Sequence, residues 1–599
     1  MKSLPKILRI YMKPYWWVAF IGFFTVILPT SMELVIPRML QYIIDQGIRP
    51  GNMDAIWYGA GIMLGAALTG ALATVGQGFC RAYISQGIGY DLRFAVFSHI
   101  QSFSFGNLNT MRTGQLMTYI SSDVNQVRMF AGASMWLLLR LFTAITGSMV
   151  MIFLTDLKLA MIAMIFVGCA IILVWNFMRI ARPLFERVQK SLDALNTLVQ
   201  ENFAGVQVIK AFVRERFAVK QFEGANVSYL EENIVVGRLL AWVSPVLMVI
   251  TNVGTVAILW IGGTDVIGER ITVGQLVAFN NYLIIGLGPM LFLATMINMV
   301  ARADASAGRV LNVLATKPLI VQPDNPHSLG DGQPMQGRVT FEQVFFDYQA
   351  LPEVHLAQQK NKSEEVVLED ISLTIEPGER VAIMGATGAG KSSLVNLVPR
   401  FYDVTGGAVS IDGVDVRQWD LDDLRKQIGV VLQQSVLFYG TIHENIAYGR
   451  PNATMDEVIE AAKAAQAHDF IMQKPEGYDS HIESRGTNLS GGQRQRLAIA
   501  RAMLLKPSIL ILDDSTSAVD METEVKIQEA LDRLMADCTT FIVAQRISSV
   551  INADKIVILE RGRLADVGTH RELLARSPIY QEIYYSQIGY STTEEAQPS

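Results

Sequence analysis

Long apolar runs alternate with polar, helix-compatible stretches over the first 300 residues, and then the pattern changes. A bilayer span needs about 20 mostly apolar residues. Six stretches meet that length: 16–36, 56–80, 135–154, 159–178, 239–262 and 276–300. The connections after the first, third and fifth are short. Those after the second and fourth, 81–134 and 179–238, are long and polar with few helix breakers. The long connections therefore read as helices reaching well beyond the membrane, with turning points expected at Gly114 and Gly205.

An even number of spans returns the chain to its starting side, so both long connections and the C-terminal half share one side. Lys2, Lys6, Arg9 and Lys13 precede the first run. Basic residues ahead of a first span place that side in the cytoplasm. No cleavable signal peptide is expected, because the first run is long enough to span and no small-residue cleavage site follows it.

Polar residues interrupt the runs at Glu33, Arg140, Asn252, Asn280, Asn281 and Asn298. Such groups face protein or a wet cavity. Asn280 and Asn281 suit cavity lining and helix–helix hydrogen bonding equally. Arg140 is expected to snorkel to the cytoplasmic edge. Gly286, Gly288 and Pro289 weaken the last span locally.

A Pro-, Gly- and Asp-rich stretch at 316–336 marks a domain boundary. From 337 to 590, β-rich runs alternate with helical ones, the pattern of an α/β domain. A polar, irregular segment between Tyr348 and Val366 reads as an insertion in a hairpin. Residues 591–599 read as a disordered tail. The expected organisation is thus a transmembrane domain at 1–315, a linker at 316–336, an α/β domain at 337–590 and a tail at 591–599.

Composition agrees. Half of the 599 residues are hydrophobic, 18% are charged, and mean hydropathy is +0.29. A net charge of -6 argues against nucleic acid as a partner, which demands a basic surface. Cys80, Cys169 and Cys538 form neither a zinc spacing nor a disulfide framework.

The chemistry sits in the second half. Gly385, Ala386, Thr387, Gly388, Ala389, Gly390, Lys391 and Ser392 match the phosphate-binding loop pattern, with Ser393 following. An apolar strand precedes the loop and a helical run follows it. Its backbone N–H groups can wrap phosphates, Lys391 can meet the β- and γ-phosphates, and the Ser392 hydroxyl can ligate Mg²⁺. A second apolar run ends in Asp513 and Asp514, which suits a buried strand delivering a carboxylate to the metal. Between them lies Leu489, Ser490, Gly491, Gly492 and Gln493.

That LSGGQ segment, set behind a phosphate-binding loop and six spans, is where the sequence resembles the ABC exporters. The resemblance is to a half-transporter of the multidrug or lipid type and covers nearly the whole chain. It implies a six-helix membrane bundle of the type I exporter class fused to an α/β nucleotide-binding domain. It implies ATP and Mg²⁺ as cofactors, an ATPase activity, and multi-pass placement in the cytoplasmic membrane among lipids. Tyr348 matches the residue that stacks on adenine. Gln433 matches the glutamine that senses Mg²⁺. Ser490, Gly491, Gly492 and Gln493 match the signature that completes the opposite subunit's nucleotide site. Residues 517–520 match the loop that follows the acidic strand. Segments near 107–113 and 204–208 match short transverse helices that dock on cassettes.

Two departures bear on catalysis. Asp514 stands where efficient family members carry Glu, and Gln545 stands where they carry a switch His. An Asp carboxylate falls about 1.5 Å short, and a misplacement near that size costs on the order of 10²-fold. Gln cannot take the charged state of His. A third, smaller departure is Glu483-Ser484-Arg485-Gly486, where family exporters tend to have Gly-Glu-Arg-Gly. The site carried by this chain's own Lys391, Asp514 and Gln545 is therefore expected to bind ATP and hydrolyse it slowly. The intact signature would serve a second half-transporter subunit, as in asymmetric bacterial heterodimers. The transported substrate would be an amphipathic drug, lipid or peptide. Alternatives are a homodimeric lipid or drug flippase and an ATP-gated regulatory protein.

Overall fold

The computed structural model describes residues 3–111, 113–288, 293–329, 335–348, 366–515 and 519–588. The chain separates into two compact units, one of residues 1–101 and 113–316, the other of 102–112 and 317–599.

The first unit is helical. Among the described residues, five helical stretches are long and apolar enough to cross a membrane: Lys13–Ile48, Met53–Gln101, Thr113–Thr155, Leu157–Ala204 and Glu215–Ile267. Their regular α-helical parts include α1 (Trp16–Tyr42), α2 (Met53–Gln101), α3 (Met135–Thr155), α4 (Leu157–Ala204) and α5 (Glu215–Ile267). The 49 residues of α2 rise about 74 Å at 1.5 Å each, against a hydrocarbon slab of about 30 Å. That length accounts for the polar connections read from the sequence. The expected sixth span falls on α6 (Val273–Leu287) and α7 (Leu293–Ala315), with Pro289 outside the described residues.

Helix ends follow local chemistry. Asp156 caps α4 by accepting from the Leu159 N–H at 2.8 Å. Thr272 and Gln275 form a reciprocal capping box at the start of α6, which satisfies two otherwise orphaned donors. Gly205 ends α4, and a short helix, Val206–Ala211, follows it. Gly114 does not turn the chain. It lies inside the helix Thr113–Thr118, and the break falls at Met111, which is extended. Glycine permits a turn but does not impose one.

The interior of this unit gathers Ile152, Leu159, Ala163, Phe279, Tyr282 and Leu283 from α3, α4 and α6. Polar residues within the spans are engaged in several ways. The Tyr282 hydroxyl donates to the Leu34 carbonyl at 3.1 Å. Asn281 Nδ2 donates to the Val277 carbonyl one turn back, whereas Asn280 Oδ1 is buried with no partner among the described residues. Arg140 finds a charged partner within the unit. Its guanidinium Nη2 lies 2.7 Å from Glu33 Oε1, and an ionisable group within an apolar span is stabilised by such a partner.

The second unit is α/β. One antiparallel sheet has the order β2-β1-β4-β5, built from β1 (Val339–Phe346), β2 (Leu368–Ile375), β4 (Gly406–Ile411) and β5 (Val414–Asp415). A larger sheet has the order β12-β11-β3-β10-β9-β6. Its strands are β3 (Arg380–Met384), β6 (Ile428–Val431), β9 (Ile509–Asp513), β10 (Thr539–Val543), β11 (Lys555–Glu560) and β12 (Arg563–Gly568). All its pairings are parallel except β11 with β12. Both β9 and β10 are buried throughout, which is why β9 reads as a continuous apolar run before its terminal Asp513. A short pair, β7 (Gly440–Thr441) and β8 (His481–Ile482), stands apart.

The sequence insertion between β1 and β2 lies largely outside the described residues, although the Val367 N–H donates to the Phe346 carbonyl across the hairpin at 2.9 Å. The transverse helix Phe105–Thr110 belongs to this unit. Phe105 stacks on Phe401 with centroids 4.3 Å apart, and Asn109 Nδ2 donates to the Tyr402 hydroxyl at 2.6 Å.

Candidate functional site

Three adjacent parallel strands, β3, β10 and β9, deliver their carboxyl ends to one edge of the sheet. Ligand sites of open α/β sheets form at that edge. The register pairs Val543 with both Ile383 and Asp513. The loops after these strands therefore bring the phosphate-binding loop, the acidic pair and Gln545 together. They line a pocket of about 320 Å³ with Tyr348, Thr387, Gly388, Gly390, Lys391, Ser392, Ser393, Gln433, Asp513, Asp514 and Gln545.

Two glycines in the loop are obligatory. Gly385 has φ +145°, and a Cβ there would stand 2.1 Å from the Leu559 carbonyl oxygen. Gly390 has φ +95°, and a Cβ would stand 2.9 Å from the Val367 carbonyl oxygen. Gly390 also opens α8 (Lys391–Leu397). Ala386 and Ala389 complete the turn, with the Ala389 N–H donating to the Ala386 carbonyl at 3.1 Å.

Lys391 Nζ donates to the carbonyls of Gly385 and Ala386, both at 2.9 Å. Burial pulls its ammonium below the usual lysine range, and the charges of Asp513 and Asp514 oppose that. Ser392 Oγ donates to Asp513 Oδ1 at 3.0 Å. Burial pushes the Asp513 carboxyl up, against the Ser392 bond that favours its ionised form. Burial also raises Asp514, countered by a hydrogen bond from Gln433. The hydroxyl and carboxylate that fit a magnesium ion, Ser392 and Asp513, are thus already side by side in a polar cleft.

Asp514 has φ +47°. That left-handed conformation is tolerated by Asp better than by most residues. Gln545 Nε2 reaches Asp514 Oδ2 at 3.4 Å, a long bond. Tyr348 is partly exposed, sits edge-on to Phe346 and Tyr402, and places its hydroxyl 2.9 Å from Ser393 Oγ.

The signature residues are positioned differently. Ser490 is the N-cap of α9 (Gly491–Leu504), and Ser490 Oγ accepts from the Gln493 N–H at 3.2 Å while Gln493 Oε1 accepts from the Ser490 N–H at 3.0 Å. Gly491 and Gly492 form the first turn. Among the described residues, these four do not line the pocket that holds Lys391. Upstream, Arg485 has φ +61° within the Glu483–Gly486 departure. Of the 517–520 segment, Val519 and Asp520 are described; Asp520 caps α10 (Met521–Leu534).

One contact escaped the sequence reading. Beyond α11 (His570–Arg576), α12 (Pro578–Ile588) ends near the switch segment. Gln587 Nε2 donates to the Gln545 carbonyl at 2.7 Å, and Gln587 Oε1 accepts from the Ile547 N–H at 2.8 Å. A lone Gln 42 residues downstream carries no motif that could have announced it.

Comparison with known proteins agrees with this architecture. Residues 19–290 match the ABC transporter transmembrane region, and residues 368–517 match the ABC transporter ATP-binding family. The chain is 37% identical to "Uncharacterized ABC transporter ATP-binding protein YfiB" of Bacillus subtilis (strain 168), over 98% of this chain and 99% of that protein. It is 36% identical to a Staphylococcus aureus (strain NCTC 8325 / PS 47) protein named "Putative multidrug export ATP-binding/permease protein", over 96% of this chain and 98% of that one. A solved structure described as a bacterial Atm1-family ABC exporter with ATP bound superposes with a TM-score of 0.78 at 26% identity, over 98% of this chain and 99% of that one. The chain belongs to the ABC transporter family, as a half-transporter with the type I exporter fold, in which a helical transmembrane region is joined to an ATP-binding domain.

Proposed function

We propose that this chain is one subunit of a heterodimeric exporter that moves amphipathic compounds across the cytoplasmic membrane, and that its own nucleotide site binds ATP but turns it over slowly. The observation that carries this reading is the pair Asp514 and Gln545, which occupies the end of β9 and the loop after β10 beside the phosphate-binding loop. Asp514 reaches one methylene less far than Glu, and Gln545 cannot carry the proton that His can.

In this reading Tyr348 stacks on adenine. Residues Gly385 to Ser393 hold the phosphates through backbone N–H groups and the Lys391 ammonium. Ser392, Asp513 and Gln433 would hold Mg²⁺, which would supply charge neutralisation at the bound phosphates. Gln433 and Asp514 orient water weakly. Ser490, Gly491, Gly492 and Gln493 complete the nucleotide site of the second half-transporter, whose own Glu and His carry efficient hydrolysis. We place the transmembrane domain at 1–315, the linker at 316–336, and the cassette at 337–590 on the cytoplasmic side.

The test is ATPase activity of the purified chain alone and with its candidate partner. Slow turnover alone, with fast turnover on mixing, supports the reading. Robust turnover by the chain alone, abolished by Lys391→Ala, overturns the slow-site assignment and favours a homodimer. ATP-dependent accumulation of an amphiphile in inverted vesicles separates export from an ATP-gated regulator.

A further inference from the structure

Helices α1 and α3 make two close contacts. A Cβ on Gly22 would stand 2.2 Å from the Trp136 ring, and one on Gly147 would stand 2.5 Å from Leu34 Cδ1. Both contacts advance together along the two helices, so α1 and α3 run in the same direction. Between the two levels, Glu33 of α1 and Arg140 of α3 form the ion pair with Nη2 and Oε1 2.7 Å apart. Glu33 and Arg140 lie inside the apolar runs 16–36 and 135–154. Their side chains are 43% and 49% exposed.

An ion pair within a membrane span that remains about half exposed does not face lipid tails, which offer neither water nor hydrogen bonds. In the single chain its open side is uncovered, and in the assembly that side must meet water of the transport path or polar groups of the second subunit. Among the described residues, Glu33 Oε2 and the remaining guanidinium N–H groups of Arg140 make no other hydrogen bond. The pair thus presents one free acceptor and several free donors, with a net charge of zero. The two glycine contacts hold both helices in place around it, so the groups are preorganised.

We propose that Glu33 and Arg140 form the head-group recognition site of the export path, and that the site selects amphiphiles with a zwitterionic head group. This rests on the export of amphiphiles proposed above. A cationic or anionic head would leave one member of the pair short of its partner, with its charge uncompensated. A zwitterion exchanges partners without that penalty: its anionic group meets Arg140 and its cationic group meets Glu33. An uncharged sugar head offers only neutral hydrogen bonds, which are weaker than charge-assisted ones.

The test uses the full-length transporter in nanodiscs, with its partner subunit where activity needs one. Four amphiphiles share one dodecyl tail, below their micelle concentrations: phosphocholine, trimethylammonium, sulfate and maltoside. The half-maximal concentration for stimulating ATP hydrolysis is read for each. Phosphocholine should act at about tenfold lower concentration than the other three. Glu33→Gln should shift the preference to the sulfate, and Arg140→Gln to the trimethylammonium. The double swap, Glu33→Arg with Arg140→Glu, should return it to phosphocholine, which guards against misfolding of the single variants. Equal stimulation by all four heads, or an unchanged preference in both single variants, overturns the head-group assignment alone. No stimulation by any of the four overturns amphiphile export itself, and the assignment with it.

Discussion

Gln587 grips the backbone on both sides of Arg546, through the Gln545 carbonyl at 2.7 Å and the Ile547 N–H at 2.8 Å. The helix that carries Gln587 is fixed by Tyr580, which is fully buried and hydrogen-bonds His570 Nδ1 at 2.6 Å. From the other side, Glu524 of α10 accepts from the Ser549 hydroxyl and lies 3.8 Å from Arg546. The switch segment is therefore held from two helices.

Gln587→Ala should release that segment from one side. One of these hydrogen bonds is exposed and the other partly buried, and each contributes only about 1 kcal/mol, so the cassette should stay folded. Turnover at this site should fall by about three- to tenfold with KM for ATP little changed, since geometry rather than binding is lost. In a Gln545→Ala background the further loss should vanish, because residues acting through one another are not additive. Steady-state kinetics of the wild type and the three variants checks this; equal losses in both backgrounds would contradict it.

Restoring the family's catalytic groups tests the slow site directly. Asp514→Glu together with Gln545→His should raise turnover of the chain alone by on the order of 10²-fold. Either substitution alone should recover much less. The left-handed backbone at Asp514 disfavours Glu modestly, so thermal stability should fall slightly while activity rises.

The transverse helix offers a different readout. Phe105→Ala removes its stack on Phe401, and Asn109→Ala removes the bond to Tyr402. An aromatic pair contributes about 0.5–1.5 kcal/mol beyond its buried area. ATP hydrolysis should persist in the double variant while amphiphile transport per ATP hydrolysed declines, measured in proteoliposomes.

Cysteine chemistry gives a test of the cassette core. Burial pushes the Cys538 thiol up to about 12. A thiol near 8.5 is roughly a quarter thiolate at pH 8, whereas one near 12 is about 10⁻⁴ thiolate. Iodoacetamide at pH 8 should therefore leave Cys538 unmodified in the folded protein and label it after denaturation, as mass spectrometry would show.

What the sequence disclosed depended on how local the signal was. The phosphate-binding loop, the acidic strand end and the signature are each contiguous, so the chemistry of Lys391, Asp513 and Ser490 could be read directly. Parallel β9 announced itself because burial on both faces demands uninterrupted apolar residues. Gly205 ends a helix as expected, but Gly114 does not, since the turn depends on the extended backbone at Met111. The Arg140 partnership was invisible because Glu33 lies 107 residues away on another helix. Gln587 was invisible for the same reason. Pairings set by packing leave no periodic trace in the chain.

The unit that carries the nucleotide pocket is not contiguous in sequence. Its helix Phe105–Thr110 is synthesised more than two hundred residues before the strands that complete it. Closing that interval costs entropy that grows only slowly with length, yet the contact with Phe401 and Tyr402 is long-range in sequence. A fragment starting at residue 317 would lack this element and leave the two aromatic rings without their cover. Biosynthesis thus imposes a wait: the earliest part of the cassette unit is made first and cannot dock until Phe401 and Tyr402 have been made.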